Sequence, residues 1–152
     1  MNYWLMKSEP ETYSIDDLQK DKKSDWEGVR NYQARNFMRD DMKAGDLALF
    51  YHSNAKPSGI AGICRITKTG IPDYTSWDPN SKYYDPKTDP DSPRWIMVEV
   101  QFVKKFPEVI PLSDLRNDPS LKEMLILQKG SRLSITPLKK KDFDHIVSNF
   151  HP

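Results

Sequence analysis

The stretch WEGVRNYQAR at residues 26–35 brings a tryptophan, a glycine, two arginines, an asparagine and a glutamine within ten residues. That set suits a flat nucleobase. An indole face supplies a stacking surface, and stacking on an aromatic side chain contributes about 1–3 kcal/mol per base. Asn31 and Gln33 carry paired donors and acceptors that match a base edge. Arg30, Arg35 and Arg39 can meet phosphates. The same residues also suit a plainer arrangement: a helix N-terminus capped by Asn31, with Trp26 packed beneath it.

Other polar groups stand where strands end. Lys7-Ser8-Glu9-Pro10 follows a short apolar run, which puts it at a sheet rim or in an ordinary turn. In Phe50-Tyr51-His52-Ser53, alternation sends Tyr51 and Ser53 to one face, where both can line a pocket. Arg132-Leu133-Ser134 offers Arg132 to a phosphate or a surface ion pair. Lysines 139–141 open the last helix, where positive charge opposes the helix dipole.

Several chemistries find no support. Neither G-x-x-x-x-G-K-[ST] nor G-x-G-x-x-G occurs, so no cofactor is expected. His52, His145 and His151 are scattered, without zinc spacing. The acidic run at residues 85–91 lacks the glycine hinge and terminal glutamate of a calcium loop. Cys64 lies in a strand pattern and reads as a buried thiol. Catalysis would have to draw on His52 with a partner that the sequence does not identify.

The chain has 152 residues with 23 Lys+Arg against 22 Asp+Glu, a net charge of +1. One domain over residues 1–152 is expected at this length. The charge balance argues against sequence-blind coating of nucleic acid, though not against a local basic face. No apolar run reaches the ~20 residues of a membrane span. The opening MNYWLMKSEP has no basic start followed by an apolar stretch, so a cytoplasmic protein is expected, or a nuclear one in a eukaryote.

The elements that must position these residues follow from patterning. Residues 3–6 read as a buried strand, Ser14 as a helix cap, residues 20–25 as a solvated loop and residues 31–42 as one helix. Residues 47–67 form an antiparallel hairpin. The segment 70–93 is a long loop rich in proline, aspartate and aromatics, and loops of that length are often functional. Residues 95–106 are a central strand, residues 121–127 a short helix and residues 132–135 a final strand. Thr136-Pro137 starts the closing helix. Clustered strands predict an α+β fold with a mainly antiparallel curved sheet or small barrel, rather than a parallel βαβ fold.

Taken in order, these stretches resemble an EVE domain. The likeness covers YWLMKSEP (3–10), YSIDDL (13–18), WEGVRNYQARNFMR (26–39), GDLALFYHS (45–53), GIAGI (59–63), YYDPK (83–87), PRWIMVEV (93–100) and RLSITP (132–137). EVE domains resemble PUA and YTH domains, which implies a PUA-like mixed sheet with flanking helices. YTH tryptophans cage a methylated adenine turned out of its strand. The resemblance therefore implies a module, not an enzyme, that binds DNA or RNA carrying a modified base such as a modified cytosine. Trp26 would stack on that base, with Trp77 or Tyr83 as a second wall. Ser8, Asn31 and backbone amides near Gly28 would hold its edge, and Tyr51 and Ser53 would form the floor. Lys7, His52 and Ser134 complete the pocket, and Lys7, Arg30, Arg35 and Arg132 face the flanking phosphates. The rival expectations are a small-molecule or protein-interaction domain, and an enzyme with His52 as general acid or base.

Overall fold

The computed structural model describes residues 1–89, 91, 93–128 and 133–149. Its sheet contains β1 (Tyr3–Ser8), β2 (Lys23–Asp25), β3 (Leu47–His52), β4 (Gly59–Pro72), β5 (Ile96–Pro111) and β6 (Ile135–Leu138), in the order β2-β5-β4-β3-β1-β6. The β1–β3 pair is parallel and every other pairing is antiparallel. The fold is thus mixed α+β, with an open sheet whose edges are β2 and β6. The long strands β4 and β5 shift register repeatedly along their ladder. Such irregularities bend a sheet and increase its twist.

Strand alternation divides the core in two. Trp4, Met6, Ala48 and Phe50 face one side, beneath α1 (Ile15–Asp21) and α2 (Tyr32–Asn36). Leu5, Leu49 and Tyr51 face the other, against α3 (Leu112–Arg116) and α4 (Lys140–Asn149). Side chains alternate between the faces, so the continuous buried runs Trp4–Met6 and Ala48–Tyr51 make both faces apolar, as a sheet covered on both sides requires. Ser14 caps α1 through a capping box, as its sequence position predicts.

Other elements differ from the sequence expectation. Residues 23–25 form β2, because β5 offers an open edge for them at Glu99–Gln101. The helix expected over residues 31–42 is one α-turn followed by a π-helical turn, Phe37–Asp41. Residues 121–127 fall into 3-10 turns, Pro119–Leu121 and Leu125–Leu127. Thr136 and Pro137 lie in β6 instead of starting a helix. Proline is tolerated there because β6 is an edge strand. The lysines at the start of α4 find acidic partners: Lys139 lies 2.9 Å and Lys141 3.9 Å from Glu123, and Lys140 lies 2.6 Å from Asp144. Among the described residues, no helix is long and apolar enough to cross a membrane.

Candidate functional site

β1 changes character halfway along its length. Its buried half ends at Met6, and its last residues, Lys7 and Ser8, are half-buried. The β1–β6 ladder also ends there, at Met6 opposite Ile135. The Lys7 N–H then donates to the Ser134 carbonyl at 2.8 Å, and the Ser8 carbonyl accepts from the Ser53 N–H at 3.0 Å. The sheet opens at this point onto a cavity of about 530 Å³. That volume lies in the ~300–1,000 Å³ range of small-ligand sites.

The cavity draws its lining from stretches far apart in the chain. Lys7, Ser8, Trp26, Gly28, Arg30, Tyr83 and Ser134 all line it. Trp26 is anchored by its backbone N–H, which donates to the Val98 carbonyl at 2.7 Å. It is only 7% exposed and belongs to the core, with the Phe50 ring edge-on at 5.4 Å. The indole is therefore a fixed wall rather than a free-standing platform. The Ser8 hydroxyl donates to the Tyr13 carbonyl at 2.6 Å, which leaves its lone pairs as acceptors.

A buried carboxylate builds the second wall. Asp73 is fully buried. Its Oδ2 accepts from the Gly28 N–H at 2.8 Å and from Arg30 Nη1 at 3.0 Å, and its Oδ1 accepts from the Thr75 N–H and hydroxyl. Gly28 has φ +81, and a Cβ there would come within 2.5 Å of the Tyr83 ring. Glycine is thus required by conformation and by the close approach of Tyr83. Asp85 pins the end of this loop, accepting from Trp95 Nε1 at 2.8 Å.

This arrangement corrects the role expected for Arg30. Its guanidinium donates to the carbonyls of Tyr83 and Val29, to Asp73 and to the Thr75 hydroxyl. All five N–H groups are used, so none is free for a phosphate. The Gly28 N–H is likewise committed to Asp73 and is unavailable to a ligand.

Other sequence candidates lie away from the cavity. Asn31 is exposed and caps α2, accepting from the Ala34 N–H at 3.0 Å, as in the plainer of the two arrangements. Arg35 donates to the Arg94 carbonyl and to Asn36, and sits 4.8 Å over the Tyr32 ring. Tyr51 points to the opposite side of the sheet, into the core under α3 and α4. Neither Ser53 nor Trp77 lines the cavity. Arg132 and His151 lie outside the described residues.

His52 is buried away from the cavity, and its Nε2 accepts from the Ile15 N–H at 3.1 Å. That bond requires a neutral imidazole. Burial holds its pKa below the ordinary value, and Lys105 acts in the same direction against an opposing pull from Asp16. An unfolded histidine takes its proton near pH ~6.5. Its contribution to stability is thus complete above about pH 6.5 and declines as pH falls towards the lowered folded value. Urea unfolding should show lower stability at pH 5.5 than at pH 7.5. The difference should shrink in His52→Gln, whose amide oxygen can accept the same bond. An undiminished difference would acquit His52.

The cavity also holds residues that sequence reasoning missed, among them Tyr13, Asp25, Glu27 and Lys82. Tyr13 donates to Asp21 at 2.8 Å, and its phenol is pushed up to about 12, chiefly by burial. Burial lowers the pKa of Lys7. It raises that of Glu27, with Asp73 and Asp25 adding to the effect. The available signal was position: Glu27 stands between Trp26 and Gly28, both already candidates. Cys64 is buried and its thiol is pushed up to about 12 by burial, which makes it inert. No cluster of three or more potential metal ligands occurs among the described residues.

Fold and cavity define a class: mixed α+β proteins whose mainly antiparallel sheet opens on an aromatic and polar cavity at the end of its first strand. Within that class the chain belongs to the EVE-domain family, whose model matches residues 2–149. Human thymocyte nuclear protein 1 is 44% identical over 166 residues, spanning 97% of this chain and 73% of that protein. A crystal structure from Pseudomonas syringae superposes with a TM-score of 0.93 at 46% identity, covering 96% of this chain and 97% of the other. The human THYN1 protein in complex with 5-methylcytosine-containing DNA superposes with a TM-score of 0.90 at 44% identity, covering 97% and 96%.

Proposed function

We propose that this protein is a binding module for DNA carrying a modified cytosine, and that the modified base, turned out of its strand, enters the cavity beside Trp26. The observation that carries the reading is its likeness, over 97% of the chain, to a human protein solved with 5-methylcytosine-containing DNA. The cavity supports it chemically. Trp26 supplies an aromatic wall, Tyr83 a second one, and Ser8, Ser134 and Lys7 supply polar atoms at the rim. Turning a base out of a duplex costs a few kcal/mol, which stacking and edge hydrogen bonds together can offset.

The charges around the cavity favour a base over a bare phosphate. Lys7, Arg30 and Lys82 line it alongside Glu9, Asp25 and Glu27. A phosphate site would not carry as many carboxylates as cations. With Arg30 committed internally and Lys7 at the base, Lys82 is the lining cation among the described residues that can face the flanking backbone. Few phosphate contacts imply weak binding to unmodified DNA and a shallow salt dependence. His52, the acid-base group of the enzymatic alternative, is engaged by the Ile15 N–H outside the cavity, which supports the binding reading.

Fluorescence anisotropy on matched duplexes with one cytosine or one 5-methylcytosine tests the reading. The methylated duplex should bind at least about tenfold tighter, a difference of ~1.4 kcal/mol. Equal affinities would overturn it. Tight binding of the free nucleoside, with no gain from flanking phosphates, would instead make this a small-molecule site.

A further inference from the structure

Which base edge the cavity accepts is legible in its unpaired charges, given the base-binding reading above. Of the charged side chains on its walls, most already have company. Glu9 accepts from Asn54 at 2.7 Å, and Arg30 donates every N–H internally. Asp25 lies beside the Tyr74 phenol, and the Lys82 ammonium lies 5.0 Å over the Tyr83 ring. Lys7 and Glu27 remain. Among the described residues neither side chain has a hydrogen bond or an ion pair, and they do not pair with each other.

Lys7 is half-buried and Glu27 is exposed at the cavity wall, where Glu27 feels the charges of Lys82 and Arg30 without bonding either. Burial disfavours the charge on each, lowering the pKa of Lys7 and raising that of Glu27. A half-buried ammonium left unpaired carries a cost that a matching ligand removes, and an exposed carboxylate at the wall is open to a donor from the same ligand. The match is defined by polarity: Lys7 can only donate, and an ionised Glu27 can only accept. The ligand edge must therefore present an acceptor to one and a donor to the other. An aminopyrimidine does so, since its exocyclic amino group donates while its ring nitrogen and C2 carbonyl accept. A 4-oxo pyrimidine puts a carbonyl oxygen where the amino group stood, facing the carboxylate.

We propose that Glu27 selects a base bearing an exocyclic amino group over its oxo counterpart, with Lys7 donating to the base's carbonyl oxygen. Glu27 is then a specificity determinant within the cavity, and Trp26 supplies affinity without this choice. A site that hydrogen-bonds its ligand rejects an analogue of the wrong polarity far more strongly than an apolar pocket rejects a missing methylene.

5-Methylcytosine and thymine share the 5-methyl group and differ at the 4-position and the adjacent ring nitrogen, so they isolate the effect. Short single-stranded oligonucleotides carrying one or the other at a central position are titrated against wild type, Glu27→Gln and Glu27→Asp. Wild type should prefer 5-methylcytosine by at least about tenfold, the scale of one mismatched polar contact. Glu27→Gln can donate its amide to the 4-oxygen, so the preference should collapse to within about threefold, with thymine binding strengthened. Glu27→Asp keeps the carboxylate and should keep the direction of preference at reduced affinity. Thermal melts confirm that each variant is folded. A Glu27→Gln protein with the wild-type ratio, or one that loses both ligands equally, overturns the inference. Wild type that separates methylated from unmethylated cytosine but not from thymine overturns this inference alone. Wild type that binds neither oligonucleotide overturns the proposed function with it.

Discussion

An Asp73→Ala protein should lose about 3–5 kcal/mol of stability, the usual result of removing one partner from a buried ion pair. Four donors converge on this carboxylate: the N–H groups of Gly28 and Thr75, the Thr75 hydroxyl and Arg30 Nη1. Removing it leaves all four without that acceptor, the two Thr75 donors in a buried setting and those of Gly28 and Arg30 in a partly buried one. Arg30 is 23% exposed in its side chain while Asp73 is fully buried, so the variant keeps an uncompensated, partly buried guanidinium. The damage should not stop at stability. The same guanidinium holds the Tyr83 carbonyl at 2.7 Å, and that bond keeps the Tyr83 ring against Gly28. Urea unfolding measures the first effect. Oligonucleotide binding at a temperature where the variant remains folded measures the second, and should be at least about tenfold weaker. A variant within ~1 kcal/mol of wild type would show that the network is dispensable.

Trp26→Ala should have a comparable effect through a different cause. The side chain is core and cavity wall at once, so truncation opens a void against Phe50 and costs about 3–5 kcal/mol. Trp26→Phe separates the two roles. It keeps most of the packing, so it should remain folded and near wild-type stability. The smaller ring should weaken binding of a methylated oligonucleotide by roughly 1–2 kcal/mol, part of the stacking contribution of a full indole. If Trp26→Phe binds as tightly as wild type, and Trp26→Ala does so wherever it is folded, the base does not rest on this residue.

Much of this organisation was legible in the sequence. Patterning over residues 47–67 revealed the antiparallel pair β3 and β4, and Ser14 announced its helix. The strand-end position of Lys7 and Ser8 correctly put them at a rim. Tyr51 and Ser53 show the limit of that logic. Alternation separated Tyr51 from Phe50 correctly, but only the fold decides which face carries the cavity, and it is the Phe50 face. Arg30 was misread because a side chain that bonds a buried aspartate 43 positions away looks, in sequence, like any other exposed cation. Asp73 had no pattern to reveal it. Its burial follows from donors arriving from two separate segments, which no local window contains. β2 was missed for the same reason: a polar triplet becomes a strand only when a neighbouring edge is free.

The walls at residues 7–8, 26–30, 83 and 134 meet only after β1, β5, β6 and the loop behind Asp73 have all docked. No fragment of the chain and no partly folded form contains the cavity. Occupancy and native structure are therefore thermodynamically linked: a ligand that fills the cavity draws population from every unfolded and half-folded state at once. At a free concentration of about 100 times its dissociation constant, that linkage adds ~2.7 kcal/mol to the stability of the whole protein. A ligand held there becomes, in effect, part of the scaffold, and the protein is at its most durable while the cavity is filled.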